Sequence, residues 1–242
     1  MLPCWLCEVD DESDISSKLC LQCNYNEFTC NDGRCVDLDK RCNKVYDCSD
    51  GVDERNCDPI EIDKEIYRNI QPPVPKLNKK LVIGVTMDIR KIDEIDEILM
   101  TFHAEVEITF QWRDHRIAFK HLDNEGNFLN EFWQHQIWMP PIAYSNNKKK
   151  FKIAFNGQVN VEIQRKEFGT LNPITNLDEG QRFEGNQNDL ILTALQEGSF
   201  FCLFEFSNFP FDTQDCSIDL HIPREIKNYI TMEPKQLIYS GK

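Results

Sequence analysis

The stretch C-L-F-E-F-S-N-F-P-F-D-T-Q-D-C, Cys202–Cys216, decides how the rest of this sequence is read. Two cysteines enclose thirteen residues, and Phe209-Pro210-Phe211-Asp212 stands between them. Apolar, strand-like sequence runs into the stretch, and Ser217-Ile218-Asp219-Leu220-His221-Ile222 alternates polar and apolar on the way out. A disulfide here ties two strands together and holds a compact loop at one end of a sheet. Closing a loop that short stabilises by about 3 kcal/mol on the chain-entropy account.

Upstream, the period-two signal repeats. Leu81, Ile83, Val85, Met87 and Ile89 are apolar at every second position, as are Val106, Ile108, Phe110 and Trp112. Glu105, Glu107, Thr109 and Gln111 fall on the opposite face of the second run, which predicts half-buried antiparallel strands. Phe151, Ile153 and Phe155 precede Asn156-Gly157, and Val159, Val161 and Ile163 follow, a strong hairpin signal. Leu190-Ile191-Leu192 and Phe200-Phe201-Cys202 supply further strands. Many short strands with turns between them predict an immunoglobulin-like antiparallel β-sandwich. Before it, Asp63–Ile70 predicts a short N-terminal helix with Asp63 as its cap and Ile66 and Ile70 on one face, ended by Pro72-Pro73-Val74-Pro75.

The cysteine spacing and the F-P-F-D core resemble the signature loop of Cys-loop ligand-gated ion channel subunits. Trp112-Arg113-Asp114 is similar to that family's W-x-D element. Trp138-Met139-Pro140-Pro141 is similar to its W-x-P-D, with Pro141 in place of Asp, and Phe183-Glu184-Gly185 resembles invertebrate members. The resemblance implies a pentamer, homomeric or heteromeric, that binds a small-molecule ligand between subunits. It also implies that the loop tip Phe209, Pro210, Phe211 and Asp212, with the turn Asp93-Glu94-Ile95-Asp96, couples binding to a membrane pore. The two tryptophans are assigned to packing. At the ligand-face positions this chain departs from the family. Amine-gated members box a cation with aromatic rings, where this chain has Glu107, Ser145 (beside Tyr144) and Pro223 (beside Arg224). Members gated by amino acids carry an arginine where this chain has Thr109. The ligand is therefore neither a standard acetylcholine nor a standard glycine or GABA case.

Cysteine density changes sharply along the chain: nine of eleven cysteines precede residue 58. Six of them, Cys23, Cys30, Cys35, Cys42, Cys48 and Cys57, allow fifteen pairings. With Asp47-Cys48-Ser49-Asp50-Gly51-Val52-Asp53-Glu54 they resemble an LDL-receptor class A repeat. That resemblance implies Cys23–Cys35, Cys30–Cys48 and Cys42–Cys57. It also implies a calcium ion held by Asn43, Asp47, Asp53 and Glu54 and by the backbone carbonyls of Lys40 and Val45. Calcium takes six or more oxygen ligands, and so short a segment needs disulfides or a metal to fold. Asn43 stands at a usual aspartate position, which removes one negative charge from the cage. Cys4, Cys7 and Cys20 are left over. Cys4-x2-Cys7 with Cys20-x2-Cys23 has zinc-like spacing, but Cys23 belongs to the six-cysteine frame, and the three are read as the remnant of an upstream module. The domains are then 1–20, a flank; 21–58, the class A repeat; and 59–242, a ligand-binding domain that stops before the family's last strands.

Composition agrees with an extracellular setting. Eleven cysteines point to an oxidising compartment. A net charge of −14, from 41 acidic and 27 basic residues, disfavours nucleic acid as a partner. The acidic module suits a basic protein surface. Nothing matches a catalytic or phosphate-binding motif: the five histidines are scattered, and Lys148-Lys149-Lys150 reads as a solvated loop. No signal peptide or membrane span is read. The expected place is the extracellular side of the plasma membrane, as part of a longer chain. The alternative is a secreted, membrane-free binding protein on the same scaffold.

Overall fold

The computed structural model describes residues 23–24, 27–75, 79–149, 153, 158–166 and 182–240. Cys4, Cys7, Cys20, Phe151, Phe155 and the Asn156-Gly157 turn lie outside them.

The N-terminal module has little regular structure. Strands β1 (Glu27–Thr29) and β2 (Cys35–Asp37) form an antiparallel hairpin. Its core is small: Phe28, Cys30 and Cys48, with Val36, Leu38 and Val52 packed against them. The Arg41 guanidinium stacks 4.5 Å from the Phe28 ring centroid and donates to the carbonyls of Val52 and Asp53. Three disulfides, Cys23–Cys35, Cys30–Cys48 and Cys42–Cys57, supply the constraint that so few apolar residues cannot.

The rest is a sandwich. Its strands are β3 (Ile60–Ile62), β4 (Leu81–Asp96), β5 (Thr101–Trp112), β6 (Ile117–Lys120), β7 (Phe128–Leu129), β8 (Ala143–Tyr144), β9 (Gln158–Gln164), β10 (Arg182–Glu184), β11 (Asp189–Phe201), β12 (Leu220–His221) and β13 (Ile230–Tyr239). One helix, α1 (Glu131–Gln136), interrupts them, capped by Asn130, whose side chain accepts from the Trp133 amide at 3.1 Å. The large sheet has the order β13-β4-β5-β11-β9-β7. Facing it are the sheet β10-β6-β3 and the β12-β8 ladder.

The period-two pattern becomes the core directly. Val106, Ile108, Phe110 and Trp112 on β5 lie opposite Gln196, Ala194, Leu192 and Leu190 on β11, and all eight are buried. Ile117, Phe119, Phe183, Trp138 and Ile142 close over them from the other layer. Trp112 and Trp138 meet edge to face at 6.1 Å, so both tryptophans are packing residues.

Four local expectations change. The sandwich is not wholly antiparallel: β13 runs parallel to β4, from Ile230 opposite Leu81 to Tyr239 opposite Ile89. A parallel neighbour needs a long crossover, which the chain between the two strands provides. Pro234 sits in β13 because that strand is an edge and one amide is dispensable there. Asp63–Ile70 forms successive turns rather than a helix, and Ile66 and Ile70 are exposed. The residue that goes inward is Tyr67, whose hydroxyl donates to Asp114 at 3.0 Å and accepts from the Trp138 amide at 2.8 Å. Those two bonds fix the local path against helical continuation. Asp93–Asp96 belongs to β4, and the turn follows at residues 97–100, where Asp96 Oδ1 accepts from the amides of Ile98 and Leu99. Finally, of the alternating stretch Ser217–Ile222 only Leu220–His221 forms regular strand.

The module joins the sandwich through Pro59, whose carbonyl accepts from the Lys120 amide at 3.0 Å. His121 stands at this junction with φ 54°. Burial, together with the charges of Arg41 and Lys120, pushes its imidazole down to about 4. Between that value and the 6.5 of an unfolded histidine, the unfolded chain binds the extra proton. Stability therefore rises with pH through this window and is lost as pH falls. His121→Asn keeps a residue tolerant of left-handed backbone. It is expected to remove up to about 3 kcal/mol of the stability difference between pH 7 and pH 4. Denaturant unfolding at the two pH values reads this, and an unchanged difference would contradict the burial of the imidazole.

Candidate functional site

Three places in the structure carry chemistry: the acidic loop of the module, the disulfide loop of the sandwich, and the outer face of the large sheet.

In the module, Cys42, Lys44 and Gly51 adopt left-handed backbone, which bends residues 42–54 back on themselves. Asp53 is fully buried, its Oδ2 accepts from the Asp47 amide at 2.7 Å, and its Oδ1 has no partner. A buried, half-satisfied carboxylate is costly unless a cation completes it. Glu54 accepts from the Lys44 amide at 2.9 Å, and Asn43 donates to Asp47 at 3.0 Å while accepting from the Val45 amide at 2.8 Å. The donor set is all oxygen and fits a hard cation. The cage is open. Asp47, Asp53 and Glu54 do not all bring oxygens within 4.8 Å of one another, and the Lys40 ammonium lies 3.5 Å from Asp47. Among the described residues the one closer group is Cys23, Glu27 and Cys35, whose sulfurs are tied in a disulfide.

The Cys202–Cys216 disulfide closes the signature stretch, with Cα atoms 5.3 Å apart. Its base is anchored: Cys202 and Phe204 are buried, and the Cys202 amide donates to Met100 O at 2.9 Å. Gln214 stitches the loop across its width. It accepts from the Glu205 amide at 2.9 Å, and its Nε2 donates to Glu205 O at 2.8 Å and to Asp212. The Phe209–Pro210 peptide is cis. Beyond the stitch the tip stands in solvent, Phe209 73% and Phe211 92% exposed. The Met100–Cys202 bond ties the β4–β5 turn to the loop's base, with Ile98 92% exposed. One end of the sandwich therefore presents two adjoining apolar loops.

The six ligand-face positions do not meet within one chain. Glu107 and Thr109 project from β5 on the side opposite its buried residues. Glu107 accepts from Arg90 at 2.7 Å, and Arg90 also lies 3.2 Å from Asp88. The Thr109 hydroxyl faces Thr193 at 3.4 Å. Tyr144 instead lies on the core side, buried, its ring edge-on to Phe200 at 5.1 Å and its hydroxyl unpartnered. Ser145 donates its amide to Asp219 at 2.7 Å, and Pro223 and Arg224 follow β12. The large sheet thus separates Glu107 and Thr109 from Tyr144.

Two charged clusters brace the site's scaffold. Asp114, of the W-R-D element, is fully buried and accepts from the Arg116 amide, Nε and Nη2 at 3.0, 2.9 and 2.7 Å, and from Tyr67. Burial and the Asp114 charge raise the Tyr67 phenol well above its ordinary value. Asp189 accepts from Gln111 and Arg113, each at 2.5 Å, and from Lys166. Burial works against its charge, yet these donors hold the carboxyl below its usual range. Sequence reading missed Tyr67, Arg116, Lys166 and Asp189. Only the Asp-x-Arg spacing of Asp114 and Arg116 hinted at any of them.

No helix among the described residues is long and apolar enough to cross a membrane. Residues 61–237 match the neurotransmitter-gated ion-channel ligand binding domain, and residues 21–57 match the low-density lipoprotein receptor domain class A. Similar curated proteins include the gamma-aminobutyric acid receptor subunit rho-3 of Homo sapiens, 26% identical over 138 residues. That alignment covers 57% of this chain and 25% of the relative. Subunit rho-1 of Homo sapiens is 24% identical over 163 residues, covering 66% of this chain and 28% of the relative. Subunit rho-2 of Bos taurus is 25% identical over 138 residues, covering 57% and 25%. The aligned stretch spans about a quarter of the length of these relatives. With its sandwich, its disulfide loop and a family match across most of its length, this chain belongs to the neurotransmitter-gated ion-channel ligand-binding domain family and carries a class A module ahead of that domain.

Proposed function

We propose that the chain is the extracellular sensor of a pentameric channel subunit, in which ligand binding between subunits biases a membrane pore through the Cys202–Cys216 loop. The observation that carries this reading is the tip of that loop. Phe209 and Phe211 are large, apolar and exposed, while the loop's base is locked by a disulfide and by Gln214. A rigid loop offering bare aromatic rings supports a contact with another body, here the pore domain. Binding between subunits is supported by the ligand-face geometry, because Glu107 and Thr109 share a site with Ser145 and Pro223 only if a second chain brings its opposite side. Ligand affinity then shifts a closed–open equilibrium by its difference between the two states.

The module would hold one calcium ion through Asn43, Asp47, Asp53, Glu54 and the carbonyls of Lys40 and Val45. Bound there, the ion supplies charge that satisfies the Asp53 Oδ1 and draws the acidic loop together. The module's acidic surface suits docking of a basic protein partner.

Ligand choice follows from the departures at the outer face. The relatives are named for gamma-aminobutyric acid, but Thr109 offers no guanidinium to a carboxylate, and Arg90 is engaged by Glu107 and Asp88. Without the aromatic box, acetylcholine lacks its cation–π partners. Both transmitters are expected to bind the assembled protein with Kd weaker than about 1 mM. Sedimentation and calorimetry on the purified protein test the reading together. A pentamer with weak binding of both transmitters supports it, whereas a strict monomer at high concentration, or micromolar binding of either, would contradict it.

A further inference from the structure

At the end of the large sheet, between Pro73, Pro75 and Lys79 on one side and Arg113 and Lys235 on the other, a pocket of about 860 Å³ opens beside Trp112. Its lining is out of character for this chain. Among the described residues it holds Lys79, Lys80, Arg113, Lys166 and Lys235 against Asp189 and Glu233, a net charge of +3 in a protein of net −14. Both acids are already engaged. Asp189 is buried and serves Arg113 and Lys166 together, and Glu233 lies 3.0 Å from Lys235. Each leaves cationic donors over.

The walls are held in place. Arg113 Nη1 donates to Asn186 O at 3.2 Å, which fixes the guanidinium at the rim. The Lys235 stem lies across β4 over Gly84, where an added Cβ would come within 3.1 Å of Lys235 Cε. Pro73, Pro75 and Leu81 give the same cavity an apolar side. Cations around an apolar wall in a cavity of this size suit an organic anion with several acid groups. Low-dielectric walls concentrate the attraction that the chain's overall charge would otherwise oppose.

We propose that this pocket binds a small organic polyanion, two or three sulfonate, phosphate or carboxylate groups on an apolar body. The inference does not rest on the receptor reading, and its test uses no transmitter. The probe is naphthalene trisulfonate, which does not chelate calcium, titrated calorimetrically into the whole protein at about 50 mM salt. Benzene tricarboxylate and inositol trisphosphate, titrated alongside, rank the acid types. Saturable binding is expected, weakened at least about tenfold by the double variant Lys79→Glu/Lys235→Glu. The same number of charges reversed at Lys148 and Lys149, on an exposed loop elsewhere, is expected to leave it unchanged. Asp189→Asn, which removes the buried negative charge, is expected to tighten it, and thermal unfolding of each variant reports whether it remains folded. Absence of saturable binding by all three probes would overturn the proposal. So would equal weakening by the Lys148/Lys149 pair, or no weakening by the Lys79/Lys235 pair.

Discussion

Asp114→Ala is expected to destabilise the sandwich by about 3–5 kcal/mol, because it strands a partly buried guanidinium. Arg116 spends three donors on this one carboxylate, and its guanidinium sits 4.4 Å from the Tyr67 ring centroid. The loss propagates through Tyr67, since its hydroxyl links Asp114 to the Trp138 amide and so to the second layer of the core. For a domain of this size, the melting temperature should fall by about 10 °C. Tyr67→Phe removes the hydroxyl alone and should cost about 1–3 kcal/mol. The two substitutions act on one network, so the double variant should lose less than the sum. Thermal and urea unfolding of the four proteins measures this. A loss under about 1 kcal/mol in Asp114→Ala would show that water satisfies Arg116 without the carboxylate.

Calcium removal is expected to have the second large effect, confined to the module. The buried Asp53 Oδ1 has no partner, and the apolar core behind it is three residues with three more at its edge. Metal bound only by the folded form stabilises it by about 2.7 kcal/mol at a free concentration one hundred times Kd. That is a large fraction of what so small a core can supply. In calcium, reduced module within the intact chain should reoxidise to the pairing Cys23–Cys35, Cys30–Cys48, Cys42–Cys57; in chelator it should scatter among isomers. Asp53→Asn should abolish the difference. Mass mapping of the disulfides reads the result, and equal yield of one isomer in chelator would remove the case for the cage.

The large sheet was legible because burial alternates with period two, and β5 shows it from Phe102 to Trp112 without a break. The disulfide loop was legible because its signal is local in sequence. What escaped is non-local. Strand β13 reads I-T-M-E-P-K-Q-L-I-Y, and its Glu-Pro-Lys centre hides an edge strand whose partner begins 149 residues earlier. Tyr67 was passed over for Ile66 and Ile70 because helical spacing favoured the isoleucines, whereas the hydroxyl's two distant partners decide which side chain turns inward. Gly185 was visible in the F-E-G element, but its reason is tertiary: a Cβ there would lie 2.2 Å from Asp114 O. Asp189, with donors arriving from β5, the β5 end and the chain after β9, has no signature that one segment carries. At the outer face, sequence counting identified Glu107 and Thr109 as positions but was silent on Arg90, which reaches Glu107 across the strand pair.

The central claim is that the exposed tip of the disulfide loop serves another body and not its own sandwich. Phe211→Ala, made both in this chain by itself and in a polypeptide that joins it to the proposed pore domain and is expressed in cells, tests it most directly. Because Phe211 is 92% exposed, the stability of this chain by itself should change by less than about 0.5 kcal/mol. In cells, surface expression should be retained while agonist-evoked or spontaneous current falls severalfold. A large loss of stability in this chain by itself, or full current with Phe211→Ala, would contradict the coupling role assigned to this loop.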